Sequence, residues 1–508
     1  MKAVSGTLMR SVEASVIQLG QADSWSLMKR AGKALADAAK DLSFETHGSF
    51  FAVLAGKGNN AGDGFVAAKA LYEFGFPVRI FHTSPASEFK GDALRAWNEL
   101  PPEIERRTEL HAADLADAIV IDALLGTGFS GTLREPWLHW INLVNYLNLP
   151  VIAADLPSGL DADDGEVRGG AAVRADVTVT FAYPKTGLLT GRGPALCGRI
   201  RVIDIGLPDE TDDAVTRFVP CTGLDDVRHR LNPLEFDTYK QKRGHVVVIG
   251  GSGDYPSAPF LTAEAALRAG AGLVTVYVPA SMEIVCAPPK ALIVKRLPDD
   301  GRGVFTQSSF DALKLPSNVS AVAVGMGMNT AEETVPFLRA LMGSVQCPLL
   351  LDADALNLIA KHPDLLHELG TATVVTPHEG EMKRLEAAIG LFSERSRTER
   401  AEALAKFTAL HVVLKGVRTV VMSPHGDHAL NLSGSPVLAT AGSGDILSGI
   451  VAALAASSEN LFDAMKDGVF LHGLLGELNA PFAGRGLIAD DLLARIPQAF
   501  DFVRMGGI

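Results

Sequence analysis

Cysteine is scarce in this 508-residue chain: Cys197, Cys221, Cys286 and Cys347 are the whole complement, and no two are spaced as CxxC. That excludes a zinc ribbon, a dithiol motif and a disulfide-stapled fold, and it points to buried thiols in a reducing compartment. No apolar run reaches the roughly 18 residues that would suggest a membrane span, and MKAVSGTLMRSVEAS at the start lacks the apolar core of a signal peptide. A cytoplasmic location without a membrane partner is expected. Long blocks of Lys and Arg are also missing: acidic residues outnumber basic ones 59 to 46, for a net charge of −13. A general nucleic-acid binder needs clustered cations, so that class is excluded. An anionic nucleotide remains acceptable, because amides and helix termini can receive it.

The length is too great for a single core, so two or more domains are expected. Short continuous apolar runs recur, each followed by a Gly-rich or polar turn and then a helical pattern. In the first half they are 50–56, 77–82, 118–124, 150–157 and 176–182; in the second, 245–251, 273–279, 320–325, 348–356, 371–377 and 411–416. Continuous rather than alternating hydrophobicity means strands covered on both faces. Strands separated by helices imply right-handed crossovers and a mainly parallel sheet, so both halves read as α/β. A polar, Pro-containing stretch between Leu207 and Arg243 reads as linker and domain entry, dividing the chain into 1–222 and 223–508. No internal repeat is visible.

In open α/β sheets ligands bind beyond the carboxyl ends of the strands. In the first half GKGNNAGDG (56–64), DALLGTG (122–128), DLPSGL (155–160) and FAYPKTG (181–187) all sit there. Gly56, Gly58, Gly62 and Gly64 allow tight turns with positive φ, and amides at the start of the following helix suit phosphate. A plain strand–helix turn is the simpler reading. Asn60, Asp122 and Ser158 follow three different strands, and their oxygens suit a hard cation; helix caps and a loop tether are the alternative. Asp155 and Lys185 are candidates for proton handling.

These segments, with LMKRAG (27–32), resemble the NAD(P)H-hydrate epimerase domain (YjeF N-terminal family) over essentially residues 1–220. The resemblance implies a Rossmann-like domain with potassium on Asn60, Asp122 and Ser158. It implies substrate contacts from Asn59, Asn60, Ala61, Gly62 and Asp63, from Gly126, Thr127, Gly128, Phe129, Ser130, Gly131 and Thr132, and from Asp155. Two positions depart from the family pattern: Ala61 where Gly is usual, and Arg30 where Glu is usual.

In the second half ATAGSGDILSGIVAAL (439–454) is the sharpest signal. Gly442 and Gly444 flank Ser443, Asp445 follows, and apolar residues then repeat at helical spacing. First-turn amides and the helix dipole favour an anion here, and Asp445 is placed to act as base toward a hydroxyl. A plain N-terminal capping role for Asp445 is the alternative. Ala258 in the Gly/Ser-rich turn 250–272, Gly327 in VGMGM, Asp352, Asp354 and Asn357 in LDADALN, His378 and Glu379 in TPHEGEMKRL, and Lys415 in LKGVRTVV all fall after strands. Singly, His378 reads as a loop residue and Lys415 as a solvated turn.

Together these motifs resemble the ribokinase-like superfamily, and within it the ADP/ATP-dependent NAD(P)H-hydrate dehydratases, over roughly 225–508. The resemblance implies hydrate binding by Ala258, Gly327, His378 and Asp445. It implies nucleotide contacts from Lys415, Gly416, Val417, Arg418, Thr419 and Gly444, with magnesium on the nucleotide phosphates. The implied activity is bifunctional: R- and S-NAD(P)HX are interconverted, and the S form is dehydrated with ADP or ATP, in a chain expected to form a homo-oligomer. Catalysis is expected of Asp445 and Asp155. Two rivals remain: a ribokinase-like small-molecule kinase fused to a nucleotide-binding module, and a non-enzymatic sensing role for the first half.

Overall fold

The computed structural model describes residues 1–46, 48–129, 131–208, 211–212, 215, 217–231, 236–391, 396–483 and 485–506, with main chain alone for 480–483. Ser130 therefore lies outside the described residues, as do parts of the expected linker. The chain divides into two compact units, Met1–Pro220 and Cys221–Ile508.

The first unit carries a seven-stranded sheet. Its strands are β1 (Phe50–Ala55), β2 (Val78–His82), β3 (Glu105–Arg107), β4 (Ala118–Ala123), β5 (Val151–Ala154), β6 (Val177–Phe181) and β7 (Arg199–Ile203). The spatial order is β3-β2-β1-β4-β5-β6-β7, and every pairing is parallel. β1 shows why the run had to be continuous. Phe51, Val53 and Ala55 enter one apolar cluster with Trp25, Leu35 and Phe65 of two covering helices. Phe50, Ala52 and Leu54 enter another with Trp140, Ile141 and Val144. A strand covered on both faces has no side left for polar residues.

The second unit repeats the principle with β8 (His245–Ile249), β9 (Leu273–Pro279), β10 (Ile293–Leu297), β11 (Ala321–Val324), β12 (Leu349–Leu351), β13 (Thr373–Val375), β14 (His411–Leu414), β15 (Val420–Met422) and β16 (His428–Asn431). The order is β16-β15-β14-β13-β12-β11-β8-β9-β10. Pairing is parallel from β10 through to β14 and antiparallel through the β14-β15-β16 meander. Over β8 and β9 lie the helices Ala258–Arg268 and Ser443–Ala455, whose Phe260, Ala263, Ile446 and Ile450 share a buried cluster with Val246, Val248 and Val276.

Both halves are α/β, as the apolar runs imply. The run 348–356 is shorter as a strand than its hydrophobicity suggests. The chain turns at Ala353, which has φ 50°, and Asp354–Lys361 is helical. The stretch expected to be a linker is partly ordered: Val219–Thr222 is a strand and Leu224–Arg230 a helix.

Candidate active sites

The first site lies at the carboxyl ends of β1, β4, β5 and β6. The helix Asn59–Glu73 starts directly after β1, with Gly58 as its N-cap. Four glycines were expected here for positive φ, and none of Gly56, Gly58, Gly62 or Gly64 adopts it. Three of them serve close approach instead. A Cβ would lie 2.0 Å from the Leu124 carbonyl at Gly56, 2.5 Å from Met28 Cε at Gly62 and 2.7 Å from Ala123 Cβ at Gly64. Ala61 sits inside the helix, so a methyl group costs nothing there. Arg30 donates to the Ile205 carbonyl (2.8 Å), fastening its helix to the chain after β7.

Asn60, Asp122 and Ser158 converge. Asp122, fully buried, accepts from the Ser158 amide (2.8 Å) and the Ser158 hydroxyl (2.6 Å). The Leu125 amide donates to Ser158 Oγ (2.9 Å), and Asn60 Nδ2 donates to the Leu125 carbonyl (2.9 Å). Gly126 passes so close that a Cβ would lie 3.3 Å from Asn60 Cβ. Burial pushes the Asp122 carboxyl up to about 6, although Ser158 and neighbouring amides hold it down. Of the alternative reading the caps fail, since Gly58 caps the helix and the Ser158 side chain is engaged with Asp122, whereas the loop tether is present: Asp122 also accepts from the Leu124 amide (3.3 Å).

On the neighbouring strand end Asp155 takes φ 65°, which turns its carboxylate toward β6. It pairs with Lys185, a lysine only 1% exposed whose ammonium also donates to Thr180 Oγ1 (3.2 Å) and the Phe181 carbonyl (3.1 Å). Asp63, on the helix after β1, and Glu13, on the helix Gly6–Gln18, share the electrostatic field of this pair. Glu13 carries no local motif, and sequence reasoning passes over it. Of the loop 126–132, Thr127 is engaged through its carbonyl, which Arg10 holds.

The second site forms around the start of helix Ser443–Ala455. Gly442 is its N-cap with φ 84°. The Ser443 amide is already spent on the Thr440 carbonyl (3.4 Å), leaving the later first-turn amides for an anion. Gly444 is open toward charge: a Cβ there would lie 3.4 Å from Lys415 Nζ and 3.9 Å from Asp352 Oδ2. Lys415, at the end of β14, donates to Asp352 Oδ1 (2.7 Å) and lies 3.8 Å from Glu381. Asp352 Oδ2 accepts from the Ser448 hydroxyl (2.7 Å). Burial works against the Lys415 ammonium, but Asp352 and Glu381 outweigh it and raise its pKa. Asp445, one helical turn before Ser448, is pushed up to about 7 by burial and by the charge of Asp352, against the pull of Lys415.

His378 caps the helix Glu379–Ala388. Its Nδ1 accepts from the amides of Gly380 (2.9 Å) and Glu381 (3.3 Å), which leaves Nε2 to carry the hydrogen. Burial and the nearby Lys415 lower its pKa, keeping the ring neutral. Ala258 and Gly327 meet: a Cβ on Gly327 would lie 3.1 Å from Ala258 Cβ. The turn 415–419 is fixed rather than solvated. Gly416 has φ 147°, Thr419 Oγ1 donates to its carbonyl (2.9 Å), and Arg397 donates to the Leu414 and Lys415 carbonyls (2.9 Å each). Arg418 turns inward to the Leu432 carbonyl, while Val417 is exposed. Asp354 and Asn357 serve locally, accepting from the Asn329 amide (2.9 Å) and from Arg384 (3.0 Å). Ser448 and His472 escape sequence reasoning. His472, whose ring burial lowers to about 4, is hydrogen-bonded to Ser443 Oγ at 2.9 Å.

Comparison with known proteins covers both halves. A family model described as NAD(P)H-hydrate dehydratase matches residues 246–498, and one described as YjeF-related protein N-terminus matches residues 24–187. The chain is 36% identical over 460 residues to a bifunctional NAD(P)H-hydrate repair enzyme of Moorella thermoacetica, covering 88% of this chain and 86% of that one. It is 34% identical over 500 residues to one of Coxiella burnetii, covering 96% and 97%. Among solved structures, an ADP/ATP-dependent NAD(P)H-hydrate dehydratase from Bacillus subtilis, co-crystallised with ATP and Mg2+, covers 56% of this chain and 99% of that one, with 26% identity and a TM-score of 0.47.

Proposed function

The chain belongs to the bifunctional NAD(P)H-hydrate repair enzymes, and from that premise we propose how its residues divide the work. The enzyme interconverts the R and S forms of NAD(P)HX and dehydrates the S form to NAD(P)H at the expense of ADP or ATP.

In the second half the hydrate carries a hydroxyl on C6 of the reduced ring, and hydroxide is a poor leaving group. Asp445 takes the hydroxyl proton as the oxygen attacks the terminal phosphoryl group. Phosphate then departs from C6 with help from the N1 lone pair, a proton leaves C5 to solvent, and the C5=C6 double bond returns. Lys415 and the free amides of the 443–455 helix start face the phosphoryl group in flight, where fixed positive charge counts most. The bare Cα of Gly444 lets them reach it. Ala258, Gly327 and the neutral His378 line the hydrate side, and the turn 416–419 borders the nucleotide. Magnesium, when present, would accompany the nucleotide phosphates and supply positive charge to the phosphoryl group.

In the first half the residues 59–63, 126–132 and Asp155 surround the hydrated nicotinamide nucleotide. Asn60, Asp122 and Ser158 fit potassium: all three offer oxygen, and the single buried carboxylate has no cationic side chain hydrogen-bonded to it. When bound, the ion supplies the charge that keeps Asp122 ionised and the 122–126 turn fixed.

The observation that carries this reading is the meeting of Asp445, Gly444 and Lys415 at one helix start. A mixture of R- and S-NADHX with ATP tests it. Complete recovery of reduced-nicotinamide absorbance is expected. A stable phosphorylated product without that recovery would instead identify a kinase, and consumption of the S form alone would mean an inactive first half.

A further inference from the structure

The family model for the first half begins at residue 24, yet the helix Gly6–Gln18 ahead of it is built into the epimerase site. The Val4 amide donates to the Pro184 carbonyl (2.9 Å) and the Thr186 amide to the Val4 carbonyl (2.8 Å), so the segment before the helix brackets Lys185. Ser5 caps the helix, its hydroxyl accepting from the Leu8 amide (3.0 Å). The Gly6 amide donates to Asp163 Oδ1 (2.6 Å), and a Cβ on Gly6 would lie 2.7 Å from Ala162 Cβ. Arg10 donates to the Thr127 carbonyl in the loop after β4.

The buried face of this helix holds Met9, Val12 and Val16. Glu13, four residues from Met9 and three from Val16, shares that face. Lys185, Asp155 and Arg10 are the charged groups that face Glu13. Asp63 faces Asp155, Lys185 and Glu13. It is 9% exposed and accepts no hydrogen bond from a described residue. Burial is the largest influence on both acids, and it holds each carboxyl above its usual range, Asp63 well above. Asp155 has Lys185 for its counter-charge, while burial favours the protonated form of the other two carboxyls.

We propose that Glu13, delivered by the helix 6–18, and Asp63 are the proton-transfer groups that act on the C6 hydroxyl of the hydrated nicotinamide, beside the fixed Asp155–Lys185 pair. This rests on the epimerase reading of the first half and names its acid and base. One carboxylic acid gives its proton to the C6 oxygen. The C6–O bond breaks as the N1 lone pair forms a C6=N1 bond, and water is released. Water then adds to the other face of C6, the electron pair returns to N1, and the other carboxylate takes the proton of the incoming water. Nothing is oxidised or reduced. One protonated and one ionised carboxyl serve both directions of an epimerisation, since each turnover exchanges their roles.

The test uses the full-length protein and R-NADHX, with the spontaneous rate subtracted. Glu13→Gln and Asp63→Asn are each expected to lower kcat for R-to-S conversion about 100-fold, with KM little changed. Dehydration of S-NADHX with ATP should stay at the wild-type rate. Glu13→Asp keeps a transferable proton and is expected to recover at least a tenth of wild-type kcat, roughly one order above the Gln variant. Wild-type protein that fails to interconvert the epimers sinks the epimerase reading itself. Wild-type conversion with Glu13→Gln at full rate overturns this inference alone. So does a loss confined to KM, or a Glu13→Asp protein as slow as Glu13→Gln, because either makes Glu13 a structural residue.

Discussion

At the residue scale Asp445 carries the sharpest expectations. Its carboxyl, ordinarily near 3.8, is pushed up to about 7 by burial and Asp352. As a base it must be ionised, so dehydratase kcat/KM should rise with pH and level off above about 7. Lys415→Met removes the charge that lowers this carboxyl and should move the rising limb to higher pH; Asp352→Asn should move it lower. A limb that stays put in both variants would show that another group is being titrated. Asp445→Asn should cut dehydration by about 100-fold or more while epimerisation continues. The same shift has a thermodynamic sign. A carboxyl raised in the folded state favours folding fully below its unfolded value, and that contribution is lost as pH rises through about 7. Above pH 7 the Asn variant should therefore resist urea better than the wild type. Lys415 taken singly reads as a solvated turn, but Asp445 is readable from sequence, because the Gly-rich turn before it announces it. Ser448, Glu381 and His472 are not. Each lies in an ordinary helical pattern, and Ser448 meets an acid 96 positions away.

At the element scale the decisive features are approaches of backbone to backbone. Gly56→Ala would place a methyl carbon 2.0 Å from the Leu124 carbonyl, between the ends of β1 and β4. Because that neighbour is main chain it cannot yield. The variant should lose about 1–3 kcal/mol of stability, read from urea midpoints, together with epimerase activity; a neutral outcome would mean the two strand ends separate without consequence. Sequence reasoning places the glycines correctly but assigns them the wrong physics, turn freedom instead of proximity. The spacing of a motif carries no information about what passes opposite it. Elements with continuous apolar runs are legible for the same reason they are stable. The strands that escape notice, such as Glu105–Arg107 and Arg199–Ile203, carry charge, since they border the sheet where one flank meets solvent.

For the whole molecule the two halves follow one architectural rule, and the motifs at their strand ends separate them clearly in the sequence. The potassium proposed for the first unit should affect stability as well as activity. An ion that binds only the folded first unit should raise its unfolding temperature in KCl relative to LiCl, by an amount set by mass action. Asp122→Asn should abolish that difference; a difference that persists would place the ion elsewhere. The helix 6–18 is the part of the first unit least legible from sequence, because its contribution to the site depends on where the chain leaves β6 rather than on any pattern within the helix.

The meander β14-β15-β16 has an effect beyond geometry. Lys415 leaves the stiff end of β14 with its ammonium already tethered to Asp352, which Ser448 tethers in turn. The freedom that a long flexible side chain ordinarily surrenders when it captures a ligand is thus surrendered during folding instead. Nucleotide association should consequently show little entropic penalty from this cation, and calorimetry on Ser448→Ala should find weaker, more entropically opposed binding with faster release.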